Sequence, residues 1–219
     1  MNKYDTIPQS ASLTAPFTQG GLVIGITGGT GCGKTTLLNL IQEMGGLVLD
    51  CDAIYHELLD ADTRMLSVIE ARFPGVVEEG SLNRKKLGGI VFADDAALLD
   101  LNAITHGAVK REVLRRLESE PKLAAIDAIG LFESGLAELC DVTVAVTAPL
   151  EDRVRRLMVR DGISEDYARS RIAAQKSAEW YRTKCDVTLE NDGEKDAFAA
   201  KCLAFLRGFG IMETEINMS

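Results

Sequence analysis

The segment Gly28-Gly29-Thr30-Gly31-Cys32-Gly33-Lys34-Thr35 fits the pattern G-x-x-x-x-G-K-S/T. Glycines at these places let successive backbone N–H groups turn inward and cradle phosphate oxygens. The helix that such a loop opens adds partial positive charge at its N-terminus. The lysine reaches the β- and γ-phosphates, and the hydroxyl that follows ligates Mg²⁺. The pattern therefore assigns Gly29, Gly31, Cys32, Gly33, Lys34, Thr35 and Thr36 to a nucleoside triphosphate, with Thr35 on its metal. Cys32 lies inside the loop, where a helix N-terminus and Lys34 are expected to lower a thiol pKa. Two readings stay open there: a redox-sensitive thiol, or a small side chain that the loop tolerates.

Phosphoryl transfer needs two further parts: a base for the acceptor and cations that close over the reaction. Asp50-Cys51-Asp52 ends a short apolar run, so Asp52 is expected at the carboxyl end of a strand, beside the phosphates. There it could take a hydroxyl proton or bind metal through water, or it could cap a helix. The run Arg153 to Asp161 carries Arg156 and Arg160 four apart, on one helix face. Two guanidiniums so placed can clamp spreading phosphoryl charge, although a solvated basic face would show the same spacing. Asn2-Lys3-Tyr4-Asp5 has the letters of a guanine-reading motif but precedes the loop. Asp127-Ala128-Ile129-Gly130 matches the D-x-x-G of a GTP-binding switch, which stays open as an alternative beside a kinase for a small alcohol or nucleotide.

These residues need elements to hold them. Leu22–Thr27, Leu47–Asp50, Leu123–Asp127, Asp141–Thr147 and Asp186–Leu189 read as short buried strands. Helical patterns over Thr35–Met44, Leu150–Arg160, Glu165–Trp180 and Lys195–Leu206 alternate with them. The expectation is an α/β fold: a five-stranded parallel sheet with helices on both faces. The mostly helical stretch 53–120, broken at Phe73-Pro74-Gly75 and turned near Gly80, is too long for a simple crossover and reads as an inserted substrate lobe. Residues 150–183 read as an Arg-rich lid. Met1–Gly20 lacks periodicity and reads as a mobile leader before a single domain, 21–219.

Composition narrows the partners. Of 219 residues, 33 are acidic and 24 basic, a net charge of −9, which disfavours a bulk nucleic-acid binder. That charge does not oppose nucleotide binding, because distant acids are screened over about 8–10 Å. No apolar run approaches a membrane span. Five scattered cysteines and two histidines argue against a zinc site or a disulfide framework and for a reducing cytoplasm. The pattern specifies no oligomeric state.

In order, the motifs resemble those of the dephospho-coenzyme A kinase family, over about residues 22–193. Ile24–Gly29 with Lys34-Thr35-Thr36 resembles its phosphate loop, and Leu49–Asp52 its D-x-D segment. Ser81–Lys85, Leu101–His106 and Leu131-Phe132-Glu133 resemble its L-D/N-R, L-N-x-I-x-H and L-F/Y-E stretches. Arg156, Arg160 and Arg171-Ile172 with Gln175 resemble its lid, and Asn191 with Gly193 its late N-x-G beside the nucleotide base. Gly107 and Ile129-Gly130 depart from the usual residues at their places, as do Cys32 and Cys51. The resemblance implies ATP and Mg²⁺ as co-substrate and cofactor and dephospho-coenzyme A as acceptor, phosphorylated at the ribose 3′-hydroxyl. It implies Asp52 as base and Lys34, Arg156 and Arg160 as the catalytic cations. Arg84 and His106 are candidates for the acceptor's diphosphate, although a solvated arginine and a packing histidine would look alike here.

Overall fold

A computed structural model describes residues 21–211. The chain runs β1 (Leu22–Thr27), α1 (Lys34–Glu43), β2 (Leu47–Asp50), α2 (Cys51–Ala61) and α3 (Thr63–Arg72). It continues through β3 (Val77–Glu78), β4 (Ser81–Leu82), α4 (Arg84–Val91), the long α5 (Asp95–Leu117) and β5 (Leu123–Asp127). It closes with β6 (Val142–Thr147), α6 (Leu150–Asp161), α7 (Glu165–Ala173), α8 (Ala178–Lys184), β7 (Val187–Glu190) and α9 (Lys195–Gly208).

Five of the strands form one parallel sheet in the order β2-β5-β1-β6-β7. Its strands are almost wholly apolar because both faces are covered. On one face Ile24 and Ile26 pack with Leu37 and Ile41 of α1 and Phe198 and Leu206 of α9. On the other, Leu49 and Ile126 meet Ile54 of α2 and Val109 and Val113 of α5. The segment between β2 and β5 has its own cluster of Met65, Ile69, Phe73, Val76, Leu87 and Val91. A fourth, small cluster joins α6 to α7 through Val154, Leu157, Ala168 and Ile172.

The five expected strands form within a residue of their expected bounds. Two local features differ from expectation. The stretch between β2 and β5 contains an antiparallel hairpin, β3 with β4, turned by Glu79 and Gly80, both at positive φ. Two-residue strands are too short to show an alternation. The single helix expected over Glu165–Trp180 is two, because Ser177 caps α8: its Oγ accepts from the Trp180 N–H at 3.1 Å. The leader 1–20, with its Asn2–Asp5 string, lies outside the described residues. Among the described residues no helix is long and apolar enough to cross a membrane.

Candidate active site

The loop between β1 and α1 sits at the carboxyl end of the central strand, where the crevice of an open α/β sheet opens. Two glycines there have no substitute. Gly28 has φ 140°, and a Cβ would lie 2.2 Å from the Val146 carbonyl oxygen. Gly33 has φ 95°, and its Cβ would lie 2.3 Å from Asn191 Nδ2. Lys34 Nζ donates to the Gly28 carbonyl at 3.1 Å and lies 3.9 Å from Asp127 Oδ1. The loop from Gly29 to Thr35 lines a cleft of about 700 Å³ that also takes in Asp52, Asp127, Arg156, Arg160 and Arg171. Thr36 lies one position further into α1, its N–H on the Gly33 carbonyl at 3.1 Å.

The carboxylates divide their work by position. Asp50 ends β2 and caps α2: its Oδ1 accepts from the N–H groups of Asp52 and Ala53 at 2.9 and 3.0 Å. The cap is therefore Asp50, which leaves the exposed Asp52 carboxylate without a hydrogen bond among the described residues. Asp127 ends β5 in register with Asp50. Burial pushes its carboxyl up to about 6; Lys34 opposes the rise, and Asp50 and Asp52 add to it. Asp127 Oδ1 is buried and has no hydrogen-bond partner. An orphaned, hard oxygen lining the same cleft as the exposed Thr35 fits Mg²⁺, which takes one or two protein ligands plus phosphates and waters.

The arginines of α6 reach the loop from the other side of the sheet order. Arg156 donates to the Gly31 and Cys32 carbonyls at 3.1 and 3.4 Å and to Asn191 Oδ1 at 3.2 Å. Asn191, only 5% exposed, donates in turn to the Cys32 carbonyl at 2.9 Å. Both ends of its amide are thus engaged by loop and arginine. Arg160 forks onto Asp161 at 2.7 and 3.0 Å, and Arg171 shares that carboxylate at 2.6 Å. Arg153 was not among the expected site residues. It is buried beneath the loop, with Nε on the Thr30 carbonyl at 2.9 Å and a terminal nitrogen on Gln175 Oε1 at 3.1 Å. Gln175 Oε1 also accepts from the Thr30 N–H at 2.8 Å. The signal was present in the spacing: 153, 156 and 160 fall on one face of a helix.

Of the two readings of Cys32, the structure favours the small side chain that the loop tolerates. The thiol is 3% exposed and packs in the core beneath the loop. Burial raises its pKa against the opposing pull of Arg153 and Lys34. Desolvation outweighs the charges, so the site does not favour a reactive thiolate.

A sequence model of the dephospho-CoA kinase family matches residues 22–197. The chain belongs to the dephospho-CoA kinase family. It is 40% identical over 195 residues to a dephospho-CoA kinase of Anaeromyxobacter dehalogenans, covering 85% of this chain and 92% of that one. With one from Thermobifida fusca it shares 36% over 184 residues, 82% and 92% of the two chains. A crystal structure from Thermus thermophilus superposes with a TM-score of 0.74 at 33% identity, covering 86% and 97%. The dephospho-CoA kinase from Campylobacter jejuni gives 0.63 at 25% identity, covering 87% and 98%.

In this member of the dephospho-CoA kinase family a second hollow, of about 260 Å³, adjoins the first. Asp52 and Ile129 line both. Tyr55, Asn102, Thr105 and His106 line the second, between α2 and α5. Burial lowers the His106 pKa, against Glu133, which raises it. Burial therefore favours the neutral ring of His106 over its cation. Arg84 opens α4 and lines a separate hollow with Asp60, Gly80 and Leu82. The structure thus brings Lys34, Thr35, Asp52, Arg156 and Arg160 to one cleft, places His106 in the next, and sets Arg84 apart.

Proposed function

We propose that the chain transfers the γ-phosphoryl group of ATP to the ribose 3′-hydroxyl of dephospho-coenzyme A, giving coenzyme A and ADP. The observation that carries this reading is the position of Asp52. A carboxylate with no hydrogen-bond partner stands where a triphosphate-sized cleft meets a second hollow. An acceptor hydroxyl delivered from the second hollow meets the nucleotide at that point. Family membership favours this acceptor over another small alcohol, and favours a kinase over a GTP-binding switch.

The acceptor oxygen attacks the γ-phosphorus while the bond to the β,γ-bridging oxygen breaks. Asp52 takes the hydroxyl proton. The loop amides and the α1 N-terminus hold the β-phosphate. Lys34 leaves its contacts with the Gly28 carbonyl and Asp127 and turns to the β- and γ-oxygens. Arg156 and Arg160 stabilise the charge that spreads over the transferred group. Thr35 and Asp127 would hold Mg²⁺, which would supply neutralisation of the negative charge on the phosphates. His106 would donate an N–H to the acceptor, and Arg84 a charge to its outer part. Helices α6 to α8 would act as the lid and the α2–α5 segment as the acceptor lobe.

The test is ADP release from Mg·ATP with and without dephospho-coenzyme A, with the phosphorylated position found by NMR. Acceptor-dependent release and a 3′-phosphate are expected. Release that ignores the acceptor, or a phosphate elsewhere, would overturn the reading.

A further inference from the structure

Seven arginines lie between Leu150 and Lys184. Five are paired with carboxylates: Arg155 with Asp152, Arg160 and Arg171 with Asp161, Arg169 with Glu151 and Glu165, and Arg182 with Glu190. Those pairs are exposed or partly so, where water alone would satisfy a guanidinium. The two without an acidic partner among the described residues are Arg153 and Arg156, and both touch only neutral acceptors around the phosphate loop. Arg156 lines the cleft and belongs to the machinery already described. Arg153 does not line it.

Arg153 is 7% exposed. A cation taken out of water and given only neutral partners is costly unless an anion arrives. The side chain lies directly behind the loop. A Cβ on Gly29 would come within 2.2 Å of its terminal nitrogen, and one on Gly31 within 3.2 Å of its Cα. Its hydrogen bonds close a ring with the Thr30 peptide: Arg153 holds the Thr30 carbonyl, Gln175 holds the Thr30 N–H, and Arg153 holds Gln175. A neutral donor of similar reach would serve those bonds. The charge is surplus to them.

We propose that Arg153 is a positioning residue for the triphosphate: a buried cation behind the loop whose counter-ion is the bound polyphosphate itself. It touches no phosphate. It acts through the loop, holding the Thr30 peptide in place and adding a fixed positive field that bulk water cannot screen. The ligand class is a polyphosphate chain, and its affinity should scale with the number of phosphates. The inference rests on the nucleotide-binding part of the proposed function and not on the acceptor.

The experiment compares wild type, Arg153→Gln and Arg153→Lys by calorimetric titration with Mg·ATP, ADP, adenosine and inorganic tripolyphosphate, alongside thermal melts. Arg153→Gln keeps a donor for the Thr30 carbonyl and removes the charge. It should weaken ATP and tripolyphosphate about tenfold or more, ADP less, and adenosine not at all, and should flatten the dependence of ATP affinity on salt. Arg153→Lys keeps the charge and should stay within about threefold of wild type for every ligand. It also serves if the Gln variant does not fold. Equal loss across ATP, ADP and adenosine would make Arg153 a structural prop and overturn the proposal, as would a lysine variant as weak as the glutamine one. Wild type that binds ATP but phosphorylates no dephospho-coenzyme A would sink the acceptor reading alone. Wild type that binds neither ATP nor tripolyphosphate would sink both.

Discussion

At the scale of single residues, the site holds more negative charge than the empty fold favours. Asp127 is pushed up to about 6 from an ordinary 3.8, chiefly by burial. The folded state therefore binds protons more readily than the unfolded one between those values. Its stability falls as pH rises through that window and stays reduced above it. About two pH units correspond to on the order of 2–3 kcal/mol. Asp127→Asn should melt with wild type at pH 4 and be more stable at pH 7 by about that amount, in denaturant titrations without nucleotide, while losing turnover. Equal stability at both pH values would mean that Asp127 is not strained. Asp52→Asn should behave otherwise: turnover falls by about 10²–10⁴ with ATP affinity nearly unchanged, as expected for a proton acceptor. A normal rate would remove Asp52 from the chemistry. Lys34, Thr35 and Asp52 were legible because a local pattern fixes the first two to a loop and the third to the turn after a strand, although Asp52 stands in the first turn of α2 rather than at the strand's end. The orphaned oxygen of Asp127 and the missing counter-ion of Arg153 were not, since both depend on what fails to come near them after folding.

At the scale of elements, one cap places the proposed base. Asp50 ties down the first turn of α2 and so fixes where Asp52 projects. Asp50→Ala should cost about 1 kcal/mol, the usual value of a helix cap, and should lower kcat more than ATP affinity. Asp50→Ser can cap again and should restore most of both; a kcat that stays low with the cap restored would mean that Asp50 acts through its charge instead. The sheet was readable from its apolar runs, because burial on both faces leaves a strong signal in four to six residues. The β3–β4 hairpin left none, as its strands are two residues long. The break between α7 and α8 was written in Ser177, but a serine within a charged helical pattern reads equally as surface until its hydroxyl is seen on a backbone N–H.

At the scale of the whole molecule, the α6–α7 unit of the proposed lid stands apart from the sheet's cores. Its apolar cluster of Val154, Leu157, Ala168 and Ile172 is separate from the cores beneath and above the sheet. It meets the loop through polar contacts from Arg153, Arg156 and Gln175. By contrast α8 is anchored, with Trp180 edge-on to Phe132 at 5.8 Å in the segment after β5. Arg160 lines the cleft but is held by Asp161, so closing on a triphosphate would draw on that ion pair. Closure should therefore involve the end of α6 and α7, with α8 as the fixed side of the hinge. Hydrogen exchange with an analogue that joins ATP to dephospho-coenzyme A should slow amides in 155–173 strongly and those in α8 little. ATP alone should protect the loop and leave 162–173 nearly unchanged, because the acceptor hollow would still be empty. If the analogue protects both segments equally, the lid does not divide at Ser177. If it protects neither, the arginines already stand where the reaction needs them, and Asp161 is their permanent anchor.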